Sequence, residues 1–168
     1  MEGLFCAKRR NIDEWVCGSY VRQYGKHMIY LEGADDDGFE YYHVNPETVR
    51  SFTGLYDCTK WEELSTEEQA RFLYPYDGIQ RSKDEWKGRP IFMGDIVKHY
   101  YRVGLYDIRS FDVGAIFWDD KKARFMRTSN MDACDYVVST DCAYKVIGNV
   151  YDNKVTDFEA EDYSYEND

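Results

Sequence analysis

The residues Lys87-Gly88-Arg89-Pro90-Ile91-Phe92-Met93-Gly94-Asp95-Ile96-Val97 have the composition of a turn that leads into a strand. Gly88 and Pro90 are turn residues, and the apolar pair that follows Pro90 favours a strand. Gly94 and Asp95 form a tight corner before the apolar residues resume. The stretch therefore predicts a turn and then a strand with a corner inside it.

A second stretch, Tyr144-Lys145-Val146-Ile147-Gly148-Asn149-Val150-Tyr151, echoes the first. It is rich in β-branched and aromatic residues and contains a Gly148-Asn149 corner, as a closing strand needs. Five short strands in about sixty residues are typical of a small, strongly bent barrel, so residues 86–153 predict an SH3-like β-barrel subdomain. The predicted strands are Ile91–Tyr101, Phe111–Trp118, Ala123–Thr128, Asp135–Ser139 and Tyr144–Tyr151.

The N-terminal residues 1–57 have the same strand rhythm and predict an antiparallel β subdomain. A polar turn near Arg10–Asp13, a Gly25 corner and an Asp-rich loop at Gly33–Gly38 separate the first four strands. The predicted strands are Leu4–Lys8, Glu14–Val21, Lys26–Leu31, Phe39–Val44 and Val49–Leu55.

Residues 58–85 differ in character and predict a short helical insertion. Thr59 with Glu62 and Ser65 with Glu68 match the capping-box pattern, in which a hydroxyl and a carboxylate bind the amides at a helix start. We expect two short helices, near Lys60–Leu64 and Thr66–Leu73.

The predicted tail, residues 154–168, is acidic and too polar to form a core, so we expect it to be mobile. From Asp152 onward the chain holds seven acidic residues against the single Lys154. Phe158, Tyr163 and Tyr165 leave open a second interpretation, an acidic contact surface for a basic partner.

The composition limits the class of function. The 168 residues carry a net charge of −11 with a pI near 4.7, which argues against general nucleic-acid binding but does not exclude a local basic patch. No apolar run approaches the ~20 residues that span a bilayer, and no signal peptide is visible. We therefore expect a soluble cytoplasmic protein.

The sequence contains no recognisable catalytic, metal or cofactor motif. The odd set of five cysteines lacks a Cys-x-x-Cys pair, which favours reduced thiols, and the three histidines lie far apart without ligand spacing. Neither a Walker A pattern nor Gly-x-Gly-x-x-Gly occurs. We predict no cofactor, no metal and no enzymatic activity.

Lys8, Arg9 and Arg10 form the best candidate for a nucleic-acid contact, because three cations lie together beside aromatic residues. Three basic residues in a hairpin turn are more often a solvated tip. The tyrosine pairs Tyr41-Tyr42 and Tyr100-Tyr101 are able to stack bases, but sheet packing explains them equally well.

The chain resembles the YopX family of phage and prophage proteins through four blocks in the family's order. In that family the second and third blocks are joined by a short turn, which residues 58–85 interrupt here, and the acidic tail is not part of the shared pattern. The matching residues are Leu4-Phe5, Lys8-Arg9, Glu14-Trp15-Val16, Gly18 and Tyr20-Val21; Asn45-Pro46-Glu47-Thr48-Val49, Phe52-Thr53-Gly54-Leu55 and Asp57; Lys87-Gly88, Ile91-Phe92 and Gly94-Asp95-Ile96-Val97; and Val146 to Asn153.

The resemblance implies a phage-encoded, mostly β protein without an established enzymatic activity. It also implies that Gly94, Asp95, Gly148 and Asn149 serve as turn residues and not as a catalytic set. We therefore predict a mainly β, non-enzymatic protein that binds a host or phage protein as a regulator and is able to self-associate through strand edges. The alternative is a nucleic-acid-associated accessory module that uses Lys8–Arg10 and aromatic strand faces.

Overall fold

The computed structural model describes residues 5–31, 40–75, 80–103, 108–129, 134–139 and 143–158. The chain divides into two compact units. The first unit comprises Met1–Phe52 and Thr59–Gly88, and the second comprises Thr53–Cys58 and Arg89–Asp168. Eleven strands and one α-helix lie within the described residues, so the prediction of a mainly β fold is confirmed.

The sheet of the first unit is antiparallel, and each strand lies within two residues of its predicted position. The strands are β1 (Phe5–Lys8), β2 (Trp15–Gln23), β3 (Lys26–Leu31), β4 (Glu40–His43) and the start of β5 (Arg50–Tyr56). Their order is β4-β3-β2-β1-β5. The predicted loop Gly33–Gly38 lies outside the described residues.

Alternation along these strands places one set of side chains in a core. Ala7, Val16, Ile29 and Val44 come from four successive segments and are all buried. A two-residue turn joins β2 to β3, and both of its residues, Tyr24 and Gly25, have positive φ (49° and 73°). This backbone matches the right-handed twist of a hairpin, and it leaves the Tyr24 side chain 94% exposed.

The helical segment of the first unit differs in one detail from the prediction. The α-helix α1 (Thr66–Leu73) begins at Ser65, whose side chain and that of Glu68 form the expected capping box. The preceding segment is only a 3₁₀ turn, Trp61–Glu63, and the carboxylate that accepts the capping amide belongs to Glu63 instead of Glu62. Glu62 instead forms an ion pair with Lys83 at 2.7 Å.

Three aromatic rings hold this helical segment together. The ring centroids of Trp61, Phe72 and Trp86 lie 5.1–6.1 Å from one another, and each pair packs edge to face. The indole N–H of Trp86 donates to the carbonyl of Thr59 at 2.9 Å. Edge-to-face contacts of this kind stabilise beyond the area that they bury.

The second unit contains the remaining strands. They are β6 (Pro90–Phe92), β7 (Asp95–Val103), β8 (Ile108–Asp119), β9 (Arg124–Arg127), β10 (Tyr136–Val137) and β11 (Ala143–Asn149). Five of them form an antiparallel sheet in the order β10-β9-β8-β7-β11, and the second half of β5 lies beside β6. Four of the five predicted strands are confirmed as single strands, whereas a turn at Met93 and Gly94 divides the predicted strand Ile91–Tyr101 into β6 and β7. The described sheet is open, with β10 and β11 at its two edges, so the closed SH3-like barrel is not confirmed.

The core of the second unit is formed by Ile91, Val97, Ile116 and Tyr144, all at most 3% exposed. A buried carboxylate, Asp57, connects three segments beside this core. Its two oxygens accept hydrogen bonds from the backbone amides of Arg89 at 2.8 Å and Val146 at 3.1 Å.

The prediction of reduced thiols is wrong for Cys6 and Cys17, which form a disulfide bond. The two residues face each other across β1 and β2, and their Cα atoms are 4.1 Å apart. This spacing is that of a directly opposed, non-hydrogen-bonded pair in an antiparallel sheet. The sequence pattern missed the bond because strand register, and not local cysteine spacing, brings the two residues together.

The end of the chain is described only in part. Val155–Phe158 forms a 3₁₀ helix, and residues 159–168 of the predicted acidic tail lie outside the described residues. None of the helices in the described ranges is long and apolar enough to cross a membrane.

Candidate functional site

The predicted basic tip is largely neutralised within its own hairpin. Lys8 forms an ion pair with Asp13, and Arg9 pairs with Glu14 at 3.0 Å while its guanidinium lies 4.1 Å from the centre of the Tyr42 ring. Exposed ion pairs contribute little to stability, but a cation in such a pair is less available to bind a phosphate. Of the three predicted contact residues, Arg10 alone has no ion pair with a described residue.

Arg10 lines a small cleft in the first unit together with residues that the sequence did not group. The cleft has a volume of about 180 Å³. Four of its side chains are basic or imidazole groups. Its lining residues are Arg10, Gly25, Lys26, His27, His43, Val44 and Pro46.

Backbone hydrogen bonds bring these lining residues together. The amide of Arg10 donates to the carbonyl of His43 at 2.9 Å, and the amide of Val44 donates to the carbonyl of His27 at 3.0 Å. The β1–β2 turn, the start of β3 and the end of β4 therefore meet at one end of the sheet. Sequence reasoning missed Lys26, His27 and His43 because this convergence depends on strand register.

The predicted tyrosine pairs have different environments. Tyr41 is 49% exposed and stacks on Tyr30 with a centroid distance of 5.4 Å, whereas Tyr42 packs against the core. Tyr100 and Tyr101 are partly buried on β7 and contact the rings of Phe111 and His99, respectively. Only Tyr41 offers a largely exposed ring.

The inner face of the second sheet carries a buried polar cluster. Asp112, 6% exposed, forms an ion pair with Arg127 at 3.0 Å and accepts a hydrogen bond from the hydroxyl of Ser129 at 3.0 Å. The Nδ1 atom of His99 lies 3.2 Å from Asp112 and 3.3 Å from Nη2 of Arg127. Gly114 makes room for this arrangement, because a Cβ there would lie 1.8 Å from the Thr128 carbonyl oxygen.

The described contacts of this cluster join neighbouring strands of one sheet. The Ser129 hydroxyl donates to the Asp112 carboxylate. Arg127 is 2% exposed and its Nε atom has no hydrogen-bond partner in the described structure. In the same described ranges, no three His, Cys, Asp or Glu side chains lie close enough to hold a metal ion.

Exposed apolar side chains occur on β10, the terminal strand of the second sheet, and on β8, two strands away. Both residues of β10 are exposed, Tyr136 at 43% and Val137 at 42%, and β10 pairs only with β9 in the described structure. Trp118, 42% exposed, packs edge to face on Phe125 at 5.0 Å, and the amide of Val138 donates to the carbonyl of Phe125. We call Trp118, Tyr136 and Val137 the β10 edge patch.

The four predicted turn residues come together in the second unit. Asp95 accepts a hydrogen bond from the amide of Phe92 at 2.7 Å, and Asp95 lies opposite Asn149 in the register of β7 and β11. Asn149 accepts from the amides of Tyr151 and Asp152 at 3.0 and 3.1 Å.

Both turn glycines stand where a side chain would collide with a ring. Gly94 has a φ of 86° and faces the ring of Tyr151, with only 2.9 Å between that ring and an added Cβ. A Cβ on Gly148 would lie 2.9 Å from the ring of Phe158. The structure gives these positions a local role in shaping the chain.

Comparison with known families gives one match: the model of the YopX protein family matches residues 58–155, which is more than half of the chain. The chain belongs to the YopX family. No curated protein and no solved structure matches it.

The YopX match covers only part of the candidate sites. It includes the polar cluster, the β10 edge patch, the turn residues and residues 58–85, although the sequence blocks had placed residues 58–85 outside the shared pattern. It does not reach the N-terminal blocks or the cleft beside Arg10, which lie before residue 58. The cleft is therefore outside the matched YopX region.

The pH dependence of stability should report on His99. Burial and the nearby Arg127 guanidinium lower the pKa of His99, while the Asp112 carboxylate opposes this shift. The unfolded chain therefore binds a proton at His99 at a higher pH than the folded chain does. Stability is expected to be retained above about pH 6.5 and to fall as the pH drops through the folded pKa.

A His99→Gln variant tests this expectation. Urea midpoints measured from pH 5 to 8 should fall less steeply below pH 6.5 in the variant than in the wild type. Superimposable pH profiles would show that His99 does not carry the effect.

Proposed function

We propose that this YopX protein acts by binding another protein, and not by catalysis, through the β10 edge patch. The observation that carries the proposal is that the terminal strand of the second sheet exposes both of its side chains. The resemblance to phage and prophage proteins supports a partner encoded by the bacterial host or by the phage.

The chemistry of the edge favours an extended partner segment. A terminal strand presents backbone groups that a second strand pairs with, and alternate side chains then contact neighbouring residues. Trp118 and Tyr136 combine large apolar surface with a polar group, the composition typical of residues that dominate binding energy. The occupant that we propose is an apolar segment of a partner protein, added in extended conformation beside β10.

The polar cluster supports the edge as a binding surface by holding the sheet in place. Asp112 joins β8 to Arg127 at the end of β9 and to Ser129 just beyond it. Such a network holds the strands of the sheet in place. A rigid sheet loses less conformational freedom when a partner strand binds at its edge.

The substitution Val137→Lys tests the edge, because a charge on an edge strand blocks strand addition. Val150→Lys is the matched control, since Val150 has almost the same exposure (44% against 42%) and lies away from β10. Each tagged protein is used to capture partners from bacterial host lysate, with half of each sample treated with nuclease. We expect one protein to be captured in both halves by the wild type and the control and lost with Val137→Lys.

The other outcomes are equally informative. Equal capture by Val137→Lys and Val150→Lys would refute the β10 edge as the binding surface. Return of the YopX chain alone, lost with Val137→Lys, would indicate self-association at the same edge in place of a foreign partner.

The second candidate function is the nucleic-acid-associated module that Lys8, Arg9 and Arg10 predicted. The ion pairs of Lys8 and Arg9 weaken it, whereas the cleft beside Arg10 favours it. Captured material that disappears after nuclease treatment would support this candidate against the β10 edge.

A further inference from the structure

We propose that the cleft lined by Arg10, Lys26, His27 and His43 binds a phosphoryl anion. The cleft lies entirely in the first unit, so this inference does not depend on the β10 edge. Its tests use different residues and a different readout, and either proposal can fail without the other.

The first argument is that the cleft gathers uncompensated positive charge in an acidic chain. The chain has 32 acidic and 21 basic residues, and carboxylates pair with Lys8, Arg9, Arg71, Lys83, Lys122 and Arg127. Arg10 and Lys26 line one cleft and have no ion pair with a described residue. Like charges held near each other are unfavourable, and a bound anion removes that penalty.

The second argument is that both histidine rings are held in place. Nδ1 of His27 is hydrogen-bonded to the hydroxyl of Tyr20. Nε2 of His27 has no hydrogen-bond partner among the described residues. When the hydroxyl donates to Nδ1, Nε2 carries the ring proton and is a donor. The ring of His43 stands edge-on against Tyr41 at 5.7 Å. A ring N–H of His27, lining the same cleft as two cations, suits an oxyanion.

The third argument is size. A volume of about 180 Å³ is well below the ~300 Å³ at which pockets for drug-sized organic ligands begin, but it accommodates a single tetrahedral anion. The planar fork of an arginine matches the paired oxygens of a phosphate, and lysine adds a point charge. The cleft therefore fits one phosphoryl group, either free or as part of a larger molecule.

The nearby aromatic surface bears on the source of that phosphate. Tyr41 is half exposed and contacts His43 at the cleft, and its ring stacks on Tyr30. An exposed ring beside a phosphate site provides a platform for a base of single-stranded nucleic acid. Inorganic phosphate and a nucleic-acid backbone share the same chemistry at the cleft, and the experiment distinguishes them.

The test begins with inorganic phosphate, titrated into the full chain labelled with ¹⁵N at histidine. We expect the ring resonances of His27 and His43 to shift and saturate. The variant Arg10→Gln with Lys26→Gln should bind phosphate at least about tenfold more weakly, since each hydrogen bond to a charged group contributes about 1.5–3 kcal/mol. Thermal unfolding of each variant confirms that it is folded.

The matched control is Lys121→Gln with Arg124→Gln. It also removes two exposed positive charges, but from the second unit, where Lys121 lies in the β8–β9 turn and Arg124 begins β9. We expect the control to bind phosphate as the wild type does. Absence of saturable shifts in the wild type would overturn the proposal. Equal weakening of phosphate binding by both double variants would also overturn it, because the binding would then depend only on the net charge of the chain.

A labelled single-stranded oligothymidine identifies the source. If the phosphate belongs to nucleic acid, anisotropy should show tighter binding than for inorganic phosphate. The slope of log affinity against log salt should then drop by about 1 in the Arg10 and Lys26 double variant. If the oligonucleotide does not bind while phosphate does, the site takes a free phosphate or a small phosphorylated molecule.

Discussion

Replacing Arg127 with methionine is expected to reduce the free energy of unfolding by about 3–5 kcal/mol, the cost of leaving a buried charge without its partner. Arg127 is 2% exposed and pairs with Asp112, which is 6% exposed, at 3.0 Å. It also donates to the Thr128 carbonyl at 2.9 Å and lies over the Tyr136 ring. Urea denaturation followed by circular dichroism measures the loss.

A double-mutant cycle separates the pair from general damage. Adding Asp112→Asn to Arg127→Met removes the stranded charge, so the double variant should be more stable than the sum of the two single effects by about 1–3 kcal/mol. Arg124→Met on the same strand is the control, because Arg124 is exposed and should lose less than about 0.5 kcal/mol. Additive effects in the cycle would show that Arg127 and Asp112 do not stabilise each other.

Replacing Asp57 with alanine is expected to reduce the free energy of unfolding by about 3 kcal/mol, because two hydrogen bonds to a charged acceptor are lost at once. Asp57 is 4% exposed, and its oxygens accept from the amides of Arg89 and Val146. These amides lie at the approach to β6 and on β11, respectively. Losing the carboxylate should therefore loosen three segments of the second unit together.

Hydrogen exchange gives this prediction a local readout. The amides of Arg89 and Val146 should exchange faster in Asp57→Ala, while Asp57→Asn, which keeps one acceptor oxygen, should show a smaller loss of stability. Asp84→Ala provides a matched control, since Asp84 is exposed on a 3₁₀ turn of the first unit. Unchanged exchange at both amides in Asp57→Ala would contradict the role given to the carboxylate.

The local elements were predictable because they depend on residues close in sequence. Short strand-like runs separated by turn residues placed the strands within two residues of their observed ends in the first unit, and Ser65 with Glu68 fixed the start of α1. The Gly94-Asp95 corner was visible for the same reason, whereas Gly148 and Asn149 are the last two residues of β11 and the turn begins at Val150. The capping carboxylate near Trp61 was not predictable from the sequence, because Glu62 binds Lys83, which lies 21 positions along the chain.

The candidate sites were predictable only in part. The sequence singled out Arg10, but its neighbours Lys26, His27 and His43 come from other strands. Likewise, the exposure of Val137 depends on where β10 lies in the sheet. Side-chain type was visible in the sequence, whereas the surroundings of each side chain were not.

The sequence by itself determined a mainly β chain, the positions of its strands and helix, and its place in the YopX family. The strands and the helix follow from short-range periodicity and turn chemistry, which act within a few residues, and the family follows from the match of residues 58–155. Tertiary structure alone decided the Cys6–Cys17 bond, the burial of Arg127 against Asp112 and the cleft beside Arg10. The physical reason is that strand register sets which distant side chains face each other, and a shift of one residue would turn every one of them to the opposite face.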